Sequence, residues 1–361
     1  MPTHTLDSLF QAAVERGASD LHIAVGQPAL CRIDGVIGPL SEDSNELLKE
    51  EVEQLIDAIL ADGQRERFHK EREIDLSHQL PEGTRLRVNC HYERENPGLV
   101  ARVIPEKIPT MDEIYMPEVT KSLVNAKQGI ILVTGPTGSG KSTSLASMIE
   151  AINESRAEHI VTLEDPIEFL YHAKKALIRQ RQLGTDFLSF GEALKRVLRQ
   201  DPDILLVGEM RDLETIAAAL TLAETGHLVL GTLHTNNAAQ TIDRIIDVFP
   251  PHQQQQIRTQ LSMTLVSVIS QRLVPRKDGG RIAIREVLLN SPAVGNIIRD
   301  NRMAELSNVI QTSSEEGMLT VERDVARLLK EGLLDKEVAA QHVADPAALK
   351  RIKVKGKGMF G

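Results

Sequence analysis

The run Gly135-Pro136-Thr137-Gly138-Ser139-Gly140-Lys141-Ser142-Thr143 matches GxxxxGK[ST] in full. It directly follows the apolar stretch Ile130-Ile131-Leu132-Val133-Thr134 and precedes a helix-compatible segment. That order of strand, loop and helix is what the chemistry needs. Glycines let the loop adopt positive φ and turn successive backbone N–H groups toward one anion, while the following helix adds the positive end of its dipole. In such a loop Lys141 reaches the β and γ phosphates of a triphosphate, and the Ser142 hydroxyl goes to Mg2+ bridging the same oxygens.

Open parallel sheets bind ligands outside the carboxyl ends of their strands, so polar residues past the other apolar runs belong with the loop. Ile160-Val161-Thr162-Leu163 ends in Glu164-Asp165-Pro166, Ile204-Leu205-Leu206-Val207 ends in Gly208-Glu209, and Leu228-Val229-Leu230-Gly231-Thr232 ends near His234. Glu209 is expected on a strand beside the phosphate loop, where a carboxylate either polarises the attacking water or holds Mg2+. By itself an acid at a strand end is more often a helix cap or a surface charge; the neighbouring loop changes that reading. Glu164 is the competing base, and the sequence leaves the division of labour between the two acids open. Asp165 before Pro166 reads as a turn starter and Glu168 as a solvated charge. His227 and His234 flank one expected strand, and either could bond the γ-phosphate and sense its loss, His234 being preferred.

These residues need elements to hold them, and the 361-residue length allows two domains. Leu6, Leu9, Phe10, Ala13 and Val14 recur at helical spacing up to Gly17. Short alternating pieces from Leu21 to Leu40, a helical stretch through Leu47 to Ile59, alternation at Arg85 to Val88 and a strand from Leu99 to Ile104 describe a small mixed α+β domain, residues 1–108. Pro109 and Pro117, with Pro105 before them, mark a linker over 109–126. Apolar runs separated by helical segments over 127–290 indicate an α/β core with a parallel sheet. Residues 291–361 read as C-terminal helices followed by a solvated basic tail containing Lys350, Arg351, Lys353, Lys355 and Lys357.

Forty-two basic against 51 acidic residues give a net charge of -9, and aromatics are 3% with no Trp. A surface built to coat or stack nucleic acid needs the opposite balance. Cys31 and Cys90 stand far apart without a CxxC pair, which excludes a thiolate zinc site or disulfide framework and fits a reducing cytoplasm. No run approaches the roughly 18 apolar residues of a membrane span, so membrane association is expected to be peripheral or through a partner.

Four blocks, GPTGSGKST, TLEDPIEF, DPDILLVGEMRDLET and ETGHLVLGTLHTNNA, together resemble the secretion ATPase superfamily, and most closely the retraction ATPases of type IV pili that drive twitching motility. They correspond there to Walker A, the Asp box, an atypical Walker B and the His box. The likeness continues through Ala18 to His22, Arg85 to Asn89 and Ile269 to Leu273. It implies a PAS-like N-terminal domain, a RecA-like P-loop ATPase domain and a homo-hexameric ring. It also implies ATP binding at Lys141 and Ser142, metal or water handling at Glu164 and Glu209, and γ-phosphate sensing at His234. The family draws transition-state charge from N-terminal arginines, for which Arg87 and Arg102 are the candidates and Arg85 and Arg94 the reserves. The implied partners are an inner-membrane platform protein and, through it, pilin, with the chain cytoplasmic and peripheral at the inner membrane.

One departure stands out. The retraction signature, roughly AIRNLIRE, is here Ala293-Val294-Gly295-Asn296-Ile297-Ile298-Arg299-Asp300, with Gly295 in place of Arg. The competing readings are an assembly or secretion ATPase of the same superfamily, a nucleic-acid motor on the same core, and an accessory subunit with little turnover. Two cysteines cannot build the tetracysteine zinc insertion usual in assembly ATPases.

Overall fold

In the first element, α1 (Leu6–Glu15), apolar residues Leu6, Leu9, Phe10 and Ala13 share one buried face, and the Thr5 hydroxyl accepts the Ser8 N–H to cap it. The computed structural model describes residues 5–33, 35–41, 45–104, 107–343, 345 and 349. The basic tail from Lys350 onward, and Pro105, lie outside the described residues. The chain divides into two compact units, Met1–Lys107 and Ile108–Gly361.

The first unit continues with β1 (Asp20–Ala24), β2 (Leu30–Ile33), β3 (Val36–Pro39), α2 (Lys49–Asp57), α3 (Asp62–Glu71), β4 (Glu73–Gln79), β5 (Arg85–Glu93) and β6 (Asn96–Ile104). Its strands form one antiparallel sheet in the order β3-β2-β1-β6-β5-β4. In β5 the alternation is carried by Leu86, Val88 and Cys90, all buried, while Arg85, Arg87 and Asn89 face the other way. Helices α1, α2 and α3 pack on the sheet and close a core containing Phe10, Ile56, Phe68 and Leu99. Phe68 is the one buried residue of α3, which is why hydrophobic spacing does not announce that helix.

The second unit opens with α4 (Glu118–Leu123), β7 (Gly129–Thr134), α5 (Lys141–Ser155), β8 (His159–Glu164), β9 (Leu177–Gln182), α6 (Phe190–Val197) and β10 (Ile204–Val207). It proceeds through α7 (Leu213–Glu224), β11 (Leu228–Leu233), α8 (Ala238–Asp247), α9 (Pro251–Thr264), β12 (Leu265–Pro275) and β13 (Arg281–Leu289). The end is helical: α10 (Pro292–Arg299), α11 (Leu306–Thr312), α12 (Val321–Lys330) and α13 (Lys336–Ala340). The α/β class expected from the apolar runs is what the strands build. The seven-stranded sheet runs β13-β12-β7-β11-β10-β8-β9, parallel throughout except for the β12–β13 pair. Strands β7, β10 and β11 are buried at every position because helices cover both faces. Residues 109–126, read from their prolines as a linker, bury Met111, Met116, Leu123 and Val124 in the same core.

The order corrects one expectation. Strand β10, which leads to Glu209, is not beside β7; β11 lies between them, pairing Leu228 with both Gly129 and Ile204. Strands buried on both faces are uniformly apolar, so their sequences carry no record of which neighbour each one chooses.

Candidate active site

Strand β7 delivers the chain into a loop whose shape only glycine permits. Gly135 has φ 148°, and a Cβ there would lie 2.2 Å from the Gln271 carbonyl oxygen and 2.6 Å from Ser139 Oγ. Gly138 (φ 75°) and Gly140 (φ 83°) are also left-handed, and Gly140 is the N-cap of α5. The backbone thus wraps back over the start of α5, where free N–H groups and the helix dipole favour an anion. Lys141 opens that helix, and its Nζ donates to the carbonyls of Gly135 (2.9 Å) and Pro136 (3.2 Å). Burial lowers the Lys141 pKa, opposed by the carboxylates of Glu209 and Glu168. Glu168, read from sequence as a solvated charge, therefore acts on the loop lysine. Ser142 and Thr143 follow in the first turn of α5, each half-buried.

A chain of polar contacts ties the loop to the far side of β11. Thr137 Oγ1 lies 3.4 Å from His234 Nδ1, and His234 Nε2 lies 3.2 Å from Glu209 Oε1. A carboxylate only accepts, so the imidazole proton sits on Nε2 and Nδ1 accepts from the Thr137 hydroxyl. Burial, with Lys141 next, lowers the His234 pKa against the opposing pull of Glu209, which favours the neutral ring that this pattern requires. Glu209 Oε1 also accepts from Arg211 Nε. The turn carrying Glu209 is pinned to β11: Thr232 Oγ1 donates to the Gly208 carbonyl (2.5 Å) and the Met210 N–H to the Thr232 carbonyl (3.0 Å). These groups border a cavity of about 490 Å³ that Arg244 also lines.

Glu164 ends β8 and sits apart from that chain. Its Oε1 accepts from Thr162 Oγ1 (2.6 Å) and Gln180 Nε2 (3.1 Å). Burial raises its pKa to about 7 despite those bonds. It runs alongside the Glu209 turn, since the Gly208 N–H donates to the Leu163 carbonyl at 2.8 Å and a Cβ on Gly208 would lie 3.2 Å from the Glu164 Cα.

His227 is not part of the site. It precedes β11, where its Nδ1 lies near Thr225 Oγ1 and the Leu222 carbonyl at the end of α7, whereas His234 follows the strand. The six residues of β11 lie between the two, so seven steps of about 3.3 Å separate them by roughly 23 Å. Arg85, Arg87, Arg94 and Arg102 all lie in the first unit, where Arg87 and Arg102 are paired in register across β5 and β6. Arg102 Nε donates to Asp20 Oδ1 at 2.8 Å and keeps its side chain 70% exposed.

Among the described residues no cluster of three or more His, Cys, Asp or Glu side chains is placed to hold a metal unaided. Ser142 and Glu209 offer a hydroxyl and a carboxylate, hard oxygen donors of the kind that share Mg2+ with phosphate oxygens and water, so the residues fit that ion. Arg211, Arg244 and Thr232 were assigned no role from the sequence. Arg211 stands two positions past Glu209 inside the GEMRD stretch, a signal in spacing alone.

Comparison with known proteins places this geometry. The family model for type II/IV secretion system proteins matches residues 3–333. The type IV pilus retraction ATPase PilT of Pseudomonas aeruginosa is 45% identical over 341 residues, 94% of this chain and 98% of its own length. A twitching motility protein of Neisseria gonorrhoeae is 45% identical over 305 residues, 84% of this chain and 82% of its own. A crystal structure of the pilus retraction motor PilT with bound ADP superposes with a TM-score of 0.88 at 40% identity, covering 96% of this chain and 99% of that one. The chain belongs to the type II/IV secretion system protein family and is an ATPase of it.

Proposed function

We propose that the chain is a Mg2+-dependent motor that, as a homo-hexamer, hydrolyses ATP to retract type IV pili. It would act on an inner-membrane platform protein and through it on pilin, from the cytoplasmic side and without spanning the membrane. Among the described residues no helix is long and apolar enough to cross one. The observation that carries the reading is the link Thr137–His234–Glu209, which joins the phosphate loop to a strand-end carboxylate two strands away. Retraction in particular is supported by 45% identity to a retraction ATPase along nearly the full length of both chains.

The loop from Gly135 to Thr143 holds the triphosphate, and Lys141 exchanges the carbonyls of Gly135 and Pro136 for phosphate oxygens. Ser142 and Glu209 would hold Mg2+, which supplies positive charge to the phosphate oxygens when bound. Glu164, with a pKa near working pH, takes the proton of the attacking water. His234 touches both Thr137 and Glu209 and so transmits the loss of the γ-phosphate from the loop to the Glu209 turn. Arg87 and Arg102 are the candidates for charge delivered to the transition state of a neighbouring subunit, a contribution of roughly 10³ to 10⁵ in rate where an arginine finger operates.

Steady-state ATP hydrolysis by size-fractionated protein, wild type against Glu209→Gln, tests the enzyme. Turnover confined to the hexamer fraction, lost on removal of Mg2+ and on the substitution, is expected. Undiminished turnover in Glu209→Gln would overturn the site, and twitching that persists in a Lys141→Ala strain lacking paralogues would overturn the motor.

A further inference from the structure

The stretch Ile269 to Leu273 carries no role in the chemistry above, yet Gln271 is in contact with the phosphate loop at three points. Its backbone oxygen is the atom that leaves no room for a Cβ on Gly135. Its side-chain Nε2 donates to the Ser139 carbonyl at 2.8 Å and is the nearest atom, 3.4 Å, to where a Cβ on Gly140 would be. Its Oε1 accepts from the Ser144 hydroxyl at 2.8 Å, one turn into α5. Gln271 is 4% exposed and Ser144 1%, so water does not substitute for these bonds.

The amide is itself held from behind. Ser144 Oγ accepts from Arg285 (3.5 Å), which faces Gln271 in the β12–β13 register. Arg285 is 1% exposed; its N–H donates to Asp324 Oδ2 (2.8 Å) and its guanidinium to the carbonyls of Ile114 and Tyr115 (3.2 Å each). Asp324, on α12, is fully buried and takes two further bonds from Arg327. The network is buried and leaves Arg285 Nε without a partner among the described residues, and the bonds it does make hold its members in one arrangement.

We propose that Gln271 is a positioning residue for nucleotide binding: its amide, clamped by Ser144 and Arg285, holds the Ser139–Gly140 segment so that the loop N–H groups meet the phosphates. The proposal rests on the reading of residues 135–143 as the nucleotide loop. Gln271 reaches no reacting atom, so its loss acts on affinity. The readout is KM against kcat for ATP, together with ADP binding, on the full-length protein.

Gln271→Leu, similar in size without hydrogen-bonding groups, is expected to raise the ATP KM and the ADP Kd together by about tenfold, the scale of one buried hydrogen bond, with kcat changed less than threefold. Gln271→Glu, which keeps an acceptor for Ser144 but loses the donor to Ser139, is expected to behave likewise. A variant that merely misfolds in part loses kcat at unchanged KM, and that pattern overturns the proposal, as does a wild-type KM in a folded Gln271→Leu protein. Should Gln271→Leu fail to fold, Ser144→Ala frees the amide without emptying the site. A KM raised at least threefold supports the proposal, and a wild-type KM overturns it. Lys141→Ala run alongside separates the two levels: if it binds ADP normally the loop reading fails, and if it loses ADP while the Gln271 variants do not, only the present inference fails.

Discussion

His234 and Glu209 meet at 3.2 Å although β10 and β11 deliver them from different strands, and the imidazole joins Glu209 to the Thr137 hydroxyl of the phosphate loop. A neutral ring donating from Nε2 and accepting at Nδ1 makes the loop hydroxyl and the carboxylate respond to each other. His234→Ala breaks the relay while leaving the loop N–H groups and Lys141 in place. The expected result is a kcat lowered by at least about tenfold, within the range assigned to positioned proton-bonding groups, with ADP binding changed less than threefold in a fluorescent-nucleotide titration.

Burial of Glu164 ties stability to pH, and its proposed role as base ties activity to pH in the opposite sense. Its carboxyl is raised to about 7 by burial from an ordinary 4.5. Between those values the folded chain keeps a proton that the unfolded chain releases, so this residue's contribution to stability falls as pH rises through the window. Glu164→Gln removes that dependence. Relative to wild type it gains about 2 kcal/mol between pH 5 and pH 8, taking about 1.4 kcal/mol per pH unit, as read by chemical denaturation at the two pH values. With Glu164 as the proposed base, the wild-type kcat is expected to rise through about pH 7 as the carboxyl ionises, and Glu164→Gln is expected to lose both the rise and most of the rate, as read in a pH–rate profile.

Asp324 is bonded to two arginines, Arg285 in the interior and Arg327 at its half-exposed edge. With Arg285 1% exposed and Asp324 fully buried, Asp324→Ala strands positive charge in the interior and is expected to cost about 3 to 5 kcal/mol. Asp324→Asn still accepts the Arg285 N–H and should cost less. Midpoints of urea unfolding compare the two, and equal midpoints for wild type and Asp324→Ala would contradict the network.

Gly295 lies inside α10, and a Cβ there would stand 3.4 Å from an Arg299 guanidinium nitrogen and 3.5 Å from the Ser262 carbonyl, ordinary contact distances. Its φ is not left-handed. Gly295→Ala should therefore stabilise the protein by about 0.5 to 1 kcal/mol through the helix propensity of alanine. A lowered thermal midpoint would show that the glycine is needed for close packing against α9. Arg299, the surviving arginine of that signature, donates to Ser262 Oγ at 3.0 Å and so is packed on α9.

The residues with the strongest local requirements were readable without coordinates. GPTGSGKST demands its loop because Gly135, Gly138 and Gly140 all take φ values that other residues resist. The apolar runs before Glu164, Glu209 and His234 became strands because side chains buried on both faces must be apolar throughout. Where a residue's partner is distant, the sequence was silent. It did not give the place of β11 between β7 and β10, the exclusion of His227, the pull of Glu168 on Lys141, or Gln271 as a support for the loop. Each depends on strand order and register, which arise from pairing between segments many residues apart. A backbone conformation is imprinted on the residue that adopts it, whereas a neighbour across a uniformly apolar sheet is selected by the packing of the whole.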